Sequence, residues 1–203
     1  MQRVRILPLI LLSITTAGAG DKDKDKGKFE PGPASSYATH QTQARVTIAA
    51  VPYTTPEQVR SAFGKMDPLK YGVLPVLVVI QNDSEKALKI DLKAEYENPD
   101  RSHIEATPAQ DVTYLPGPKV PRVGGSAPLP IPLPRRNKKG PLGGWEIEGR
   151  AFAVKMLPAR ESASGFVYFQ TSYKPGSHLF LTGLREAGTG KELFYFEIPL
   201  DAN

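Results

Sequence analysis

Apolar and polar side chains alternate with a period of two along much of this chain, the repeat of a strand whose successive side chains face opposite sides of a sheet. The alternation first appears at Arg45 to Val51, where Val46, Ile48 and Ala50 interleave with Arg45, Thr47 and Ala49. Thr55-Pro56-Glu57 interrupts it with a helix-start pattern: an N-cap, proline in the first turn and an early acid. Val59, Ala62 and Phe63 give the predicted helix an apolar stripe, and Gly64 stops it. Val73 to Ile80 then runs apolar without a break. A β-branched run this dense predicts a central strand buried on both faces, with Pro75 near its start, where proline is tolerated.

Alternation resumes from Ala87 to Tyr96, where Leu88, Ile90 and Leu92 oppose Lys89, Asp91 and Lys93. Asn82-Asp83-Ser84 and Asn98-Pro99-Asp100 read as turns on either side of it, and Ser102 to Ala106 returns as a short strand. Three further strands are predicted at Gly165 to Gln170, His178 to Leu184 and Glu192 to Leu200, the last two joined by the glycine-bearing loop Ala187-Gly188-Thr189-Gly190. Trp145 to Met156 fits two templates. Glu148, Ala151, Phe152 and Lys155 suit a helix, whereas Gly149 and the alternation Phe152, Val154, Met156 suit a strand. Seven or eight short strands, with turn signals every ten or so residues, predict an all-β two-sheet sandwich with one or two short helices. Phe63, Val76, Val78, Ile80, Phe166, Tyr168 and Phe196 are its expected core residues.

Two stretches resemble the strand-and-turn signature of bacterial extracytoplasmic immunoglobulin-like domains. One is Gly72-Val73-Leu74-Pro75-Val76 leading into Ile80-Gln81-Asn82-Asp83-Ser84; the other is Leu157-Pro158-Ala159-Arg160-Glu161 followed by Gly165-Phe166-Val167-Tyr168-Phe169. Those families commonly carry a Pro-Gly-Glu turn before the second strand, and here Ala159-Arg160 takes the middle position. The resemblance covers most of residues 45–203. It implies an immunoglobulin-like sandwich and no particular activity.

Composition adds a compartment. Arg3 and Arg5, the apolar stretch Ile6 to Ile14 and the small residues Ala17-Gly18-Ala19 form the three regions of a secretory signal peptide, residues 1–19. As a helix those apolar residues reach about 14 Å, far short of the roughly 30 Å hydrocarbon core of a bilayer. The expected location is periplasmic or secreted, with no transmembrane segment in the mature chain. There is no cysteine, so disulfides and thiolate metal sites are excluded and a packed core must supply stability. Removing Arg3 and Arg5 leaves 24 Lys and Arg against 21 Asp and Glu, a net charge of +3 that argues against nucleic acid as a partner. Residues 20–40, with the alternating run Asp21 to Lys26 and the prolines 31 and 33, read as a charged flexible linker before a domain at 41–203.

Motifs for catalysis fail on their spacing. The Asp21-x-Asp23-x-Asp25 run has Lys26 where a calcium loop needs glycine and Gly32 where it needs glutamate. Gly188-Thr189-Gly190-Lys191 lacks both the leading glycine and the trailing hydroxyl of a phosphate loop. His103 and Glu105 share one strand face and offer two metal ligands, with no third in sequence. Asp91 with Glu95, and Glu146 with Glu148, are carboxylates on polar faces without a cleft around them. Neither a cofactor nor a catalytic residue is assigned.

The remaining feature is Pro116 to Gly144: 29 residues holding eight prolines, six glycines, six Lys or Arg and no acid. Pro128 to Pro134, with Pro130, Pro132 and Pro134 at alternate positions, favours polyproline II, and Arg135, Arg136, Lys138 and Lys139 follow. Three readings stay open: an insertion without a role, a stiff arm that docks an envelope protein, and a cationic contact with an anionic surface. The expected function is accordingly a non-catalytic binding or interaction module. A metal-dependent or hydrolytic envelope enzyme built on His103 and Glu105, and a purely structural envelope component, are the alternatives.

Overall fold

The strand Leu74–Asn82 organises the molecule, because both of its faces are apolar. In the computed structural model, which describes residues 29–115 and 140–201, Leu74, Val76, Val78 and Ile80 face one core and Leu77 and Val79 another, all of them buried. Such a strand needs an apolar layer on each side. A second sheet supplies one, and helices and loops supply the other.

The first sheet contains β1 (His40–Gln43), β2 (Val46–Pro52), β3 (Leu74–Asn82) and β7 (Ser162–Phe169), paired antiparallel in the order β1-β2-β3-β7. The second has five strands, also antiparallel. Its order is β5-β4-β8-β9, built from β4 (Leu88–Glu97), β5 (His103–Glu105), β8 (His178–Glu186) and β9 (Phe196–Pro199), and β6 (Met156–Leu157) pairs with the other half of β4. Between the sheets, Val46, Ile48 and Ala50 of β2 and the inner residues of β3 meet Ile90 and Tyr96 of β4, Leu179 and Leu181 of β8, and Phe196 and Ile198 of β9. This is the two-sheet sandwich that the alternation predicts. The Gln41 side chain also accepts the backbone N–H of Glu197 at 2.8 Å, which ties the β1 edge of one sheet to the β9 edge of the other.

The outer face of the four-stranded sheet carries the helices α1 (Pro56–Phe63), α2 (Ala109–Val112) and α3 (Trp145–Gly149). α1 begins with a reciprocal capping box. Thr55 Oγ1 accepts from the Gln58 N–H at 3.3 Å, and Gln58 Oε1 accepts from the Thr55 N–H at 3.1 Å. Its buried stripe Val59, Ala62 and Phe63 packs with Ala49, Leu77, Val79, Phe166 and Tyr168 of the sheet, and Val112, Leu142 and Ile147 complete this second core. All seven expected core residues are buried.

Several boundaries differ from the sequence reading. Trp145 to Met156 divides between its two templates, giving the helix α3 and then the start of β6. β1 was not anticipated, because His-Gln-Thr-Gln offers no apolar residue to mark it. Residues 29–39, assigned to the linker on composition, lie against the sheet: Phe29 stacks on Phe166 at 5.5 Å, and Ala34 is fully buried. The end of the Pro-rich segment also belongs to the fold, since the Gly140 N–H donates to the Thr113 carbonyl at 2.7 Å and Leu142 is fully buried. The leader at 1–19 and the run Asp21 to Lys26 lie outside the described residues. Among the described residues, no helix is long and apolar enough to cross a membrane.

Candidate functional site

Helices and loops cover the four-stranded sheet, but the outward positions Lys89, Lys93, Glu95 and Thr182 of the five-stranded sheet are exposed. What stands on that open face is decided by a bulge. Asp91 and Leu92 of β4 together oppose the single residue Gly183 of β8, between the pairs Ile90–Leu184 and Lys93–Thr182. On β4 the inward phase runs unchanged from Ile90 to Ala94 and Tyr96. On β8 it switches at Gly183, so Leu184 faces the core, yet so do Leu181 and Leu179. His178, Phe180 and Thr182 are thereby turned outward, since a one-residue slip exchanges the two faces of a strand. Glycine is required at the switch. Gly183 has φ +88°, and a Cβ there would lie 2.0 Å from the Asp91 carbonyl oxygen.

Strand register then assembles the face. Glu95 lies opposite Phe180 on one side and Glu105 on the other; Glu97 lies opposite His178 and His103; Phe180 lies opposite Glu197. Three rings cross the sheet: His103 packs against Phe180 at 5.7 Å, and Phe180 against Tyr195 at 6.1 Å. Tyr195 is 56% exposed and its neighbour Phe194 72% exposed. Carboxylates flank the rings. The Glu95 Oε2 oxygen pairs with Nδ1 of His103 at 3.3 Å, and a shallow depression lined by Lys93, Glu95 and Glu105 runs alongside.

Glu97 is the exception on this face, because it is only 2% exposed. Its Oε1 accepts from Nη1 of Arg101 at 3.3 Å, while its Oε2 has no hydrogen-bond partner. Arg101 adopts φ +67° in the turn Asn98 to Ser102, and its N–H donates to the Asn98 carbonyl at 2.9 Å. That turn is pinned by Asp100, whose carboxylate accepts from the Ser102 hydroxyl and N–H and is held below the ordinary range by those bonds. One ligand atom each from Glu97, His178 and Glu197 lie within 4.8 Å of one another.

The residues singled out from sequence fare differently. Pro130, Pro132, Pro134, Arg135, Arg136, Lys138 and Lys139 lie outside the described residues. His103 and Glu105 do share the outer face of β5, both exposed, but the partner of His103 is Glu95. The turn reading of Asn82 holds. Its side chain is fully buried, donates Nδ2 to the carbonyls of Lys86 and Pro158 at 2.8 Å each, and accepts from the Ser84 hydroxyl. The Gly188 to Lys191 stretch is a hairpin connection, closed by Glu186 N–H to Lys191 O at 2.8 Å and Gly190 N–H to Glu186 O at 2.9 Å. Glu97, His178 and Glu197 were missed, because they are far apart in sequence and only strand register brings them together. The one available signal was the outward phase of Glu95 and Glu97 on a well-marked strand.

No family model matches the chain, and no curated protein matches it. Among solved structures it is similar to Northeast Structural Genomics Consortium target SoR45, determined by X-ray crystallography, at 9% identity over 79% of this chain and 90% of that one, with a TM-score of 0.33.

Proposed function

We propose that this chain is a non-catalytic binding module of the bacterial envelope, periplasmic or secreted, that recognises a basic segment of a partner protein with the open face of its five-stranded sheet. The observation that carries the proposal is the row His103, Phe180 and Tyr195, with Phe180 half-buried between two exposed rings and Glu95, Glu105 and Glu197 beside them, on a face that no described helix covers. Exposed rings offer π-faces to a guanidinium or ammonium, and neighbouring carboxylates add the opposite charge. The sheet holds both rigidly in place, which keeps the entropy lost on binding small. The leader pattern at 1–19 supports the compartment. The Pro-rich segment with Arg135, Arg136, Lys138 and Lys139 carries the opposite sign and, on its sequence, suits an anionic surface as a second contact.

Fluorescence anisotropy with a labelled Arg-rich peptide tests the proposal. Binding should weaken as salt rises and fall about tenfold or more in the double variant Phe180→Ala/Tyr195→Ala, a loss of about 1.4 kcal/mol or more. Equal binding by the folded double variant would remove this face as the recognition surface.

A further inference from the structure

We infer that Glu97, His178 and Glu197 form a binding site for one divalent transition-metal ion of the zinc class, at the β4-β8-β9 crossing of the open sheet face. The site shares Glu197 with the docking row, but it rests on different observations and neither reading requires the other. Three features carry it. The donor atoms already lie within 4.8 Å of one another, on three adjacent strands. Glu97 and His178 are directly opposed in register, and Glu197 reaches His178 diagonally from its place opposite Phe180. Independently, Glu97 is a carboxylate 2% exposed whose Oε2 has no partner. A buried oxygen of this kind is costly to leave unsatisfied, and an ion beside it removes the cost.

The donor set selects the ion. One imidazole and two carboxylates are donors that zinc accepts, and three of them leave the open position of a three-ligand site, with water completing the tetrahedron. Calcium takes six or more oxygens and magnesium keeps several waters in an octahedron, so neither suits a site with nitrogen and few oxygens. Two carboxylates with a neutral imidazole offset the charge of a dication, and the Arg101 guanidinium paired with Glu97 is itself largely solvent-exposed. Zinc bonds of about 2.0–2.2 Å need the donors to close by roughly 1 Å, a movement within reach of side-chain torsions. Arg101 holds Oε1 of Glu97 at 3.3 Å and so orients the carboxylate from outside the donor group. His103 faces Glu97 from β5 but is engaged by Glu95, which leaves it out of the set.

Calorimetric titration of Zn2+ into the full chain tests the site, with His178→Ala, Glu97→Gln and the control His103→Ala. One ion per chain is expected. Affinity should fall about 100-fold in His178→Ala and at least about tenfold in Glu97→Gln, and stay unchanged in His103→Ala. Zn2+ should also raise the thermal midpoint of the wild type and not that of His178→Ala. If Glu97→Gln does not fold, Glu197→Gln serves in its place. No binding, wild-type binding by His178→Ala, or displacement of Zn2+ by equimolar Ca2+ would each overturn the inference.

Discussion

Single residues carry much of the burial beneath the helices, and Tyr53 shows how that burial becomes a dependence on pH. Its ring stands edge-on to Phe166 at 4.9 Å and near Phe29 at 6.2 Å. Burial pushes its hydroxyl up to about 12, because a phenolate would lose its hydration there. Tyr168, whose hydroxyl donates to the Ile147 carbonyl at 2.8 Å, is raised by burial as well. A group raised in the folded state contributes stability that is complete below its unfolded value near 10 and is lost as pH climbs through the folded value. The fold should therefore resist base up to about pH 10 and lose stability between there and about 12. Tyr53→Phe should lessen that loss, as read by circular dichroism and phenolate absorbance across the titration. An identical alkaline transition in the variant would mean that Tyr53 is not the group responsible.

At the scale of elements, the β4–β8 pairing matters most, because its bulge decides which side chains of β8 reach solvent. Gly183→Ala would force a Cβ into the Asp91 carbonyl, at a backbone angle that a side chain disfavours. The expected outcome is a destabilisation of a few kcal/mol in a denaturant titration, together with weaker binding of the basic peptide as Phe180 loses its outward setting. A variant as stable as the wild type would show that the switch of phase does not depend on glycine. Elements of this kind were legible in sequence wherever burial on one face imposed alternation, as at Leu88 to Tyr96, or wherever burial on both faces imposed an apolar run, as at Val73 to Ile80. β1 was not, because its four polar residues carry no apolar repeat to mark them. Phe29 and Ala34 were hidden too, as isolated anchors within a polar composition. The helix α3 and the strand β6 shared one ambiguous stretch because both of their periodicities were present in it.

For the whole molecule, the decisive feature is asymmetry between its two outer faces. Helices cover the four-stranded sheet, and the five-stranded sheet presents His103, Phe180, Tyr195 and a set of glutamates to solvent. No single strand announces that face. Glu97 reads as one more polar residue at the end of β4, and His178 as the opening of another strand; their meaning comes from pairs more than 70 residues apart in sequence. The same holds for the covering layer: the stripe Val59, Ala62 and Phe63 marks α1 as buried on one side, but which sheet face it covers depends on where α1, α2 and α3 dock. We propose the open face as the surface through which this protein meets its partner. Amide chemical-shift mapping by NMR, with the isotope-labelled chain titrated by an Arg-rich peptide, tests it most directly. Shifts are expected at residues 95–97, 103–105, 178–182 and 195–197, with little change across α1, α2 and α3. Shifts centred on the helical layer, or spread evenly over both faces, would rule out the open face as the docking surface.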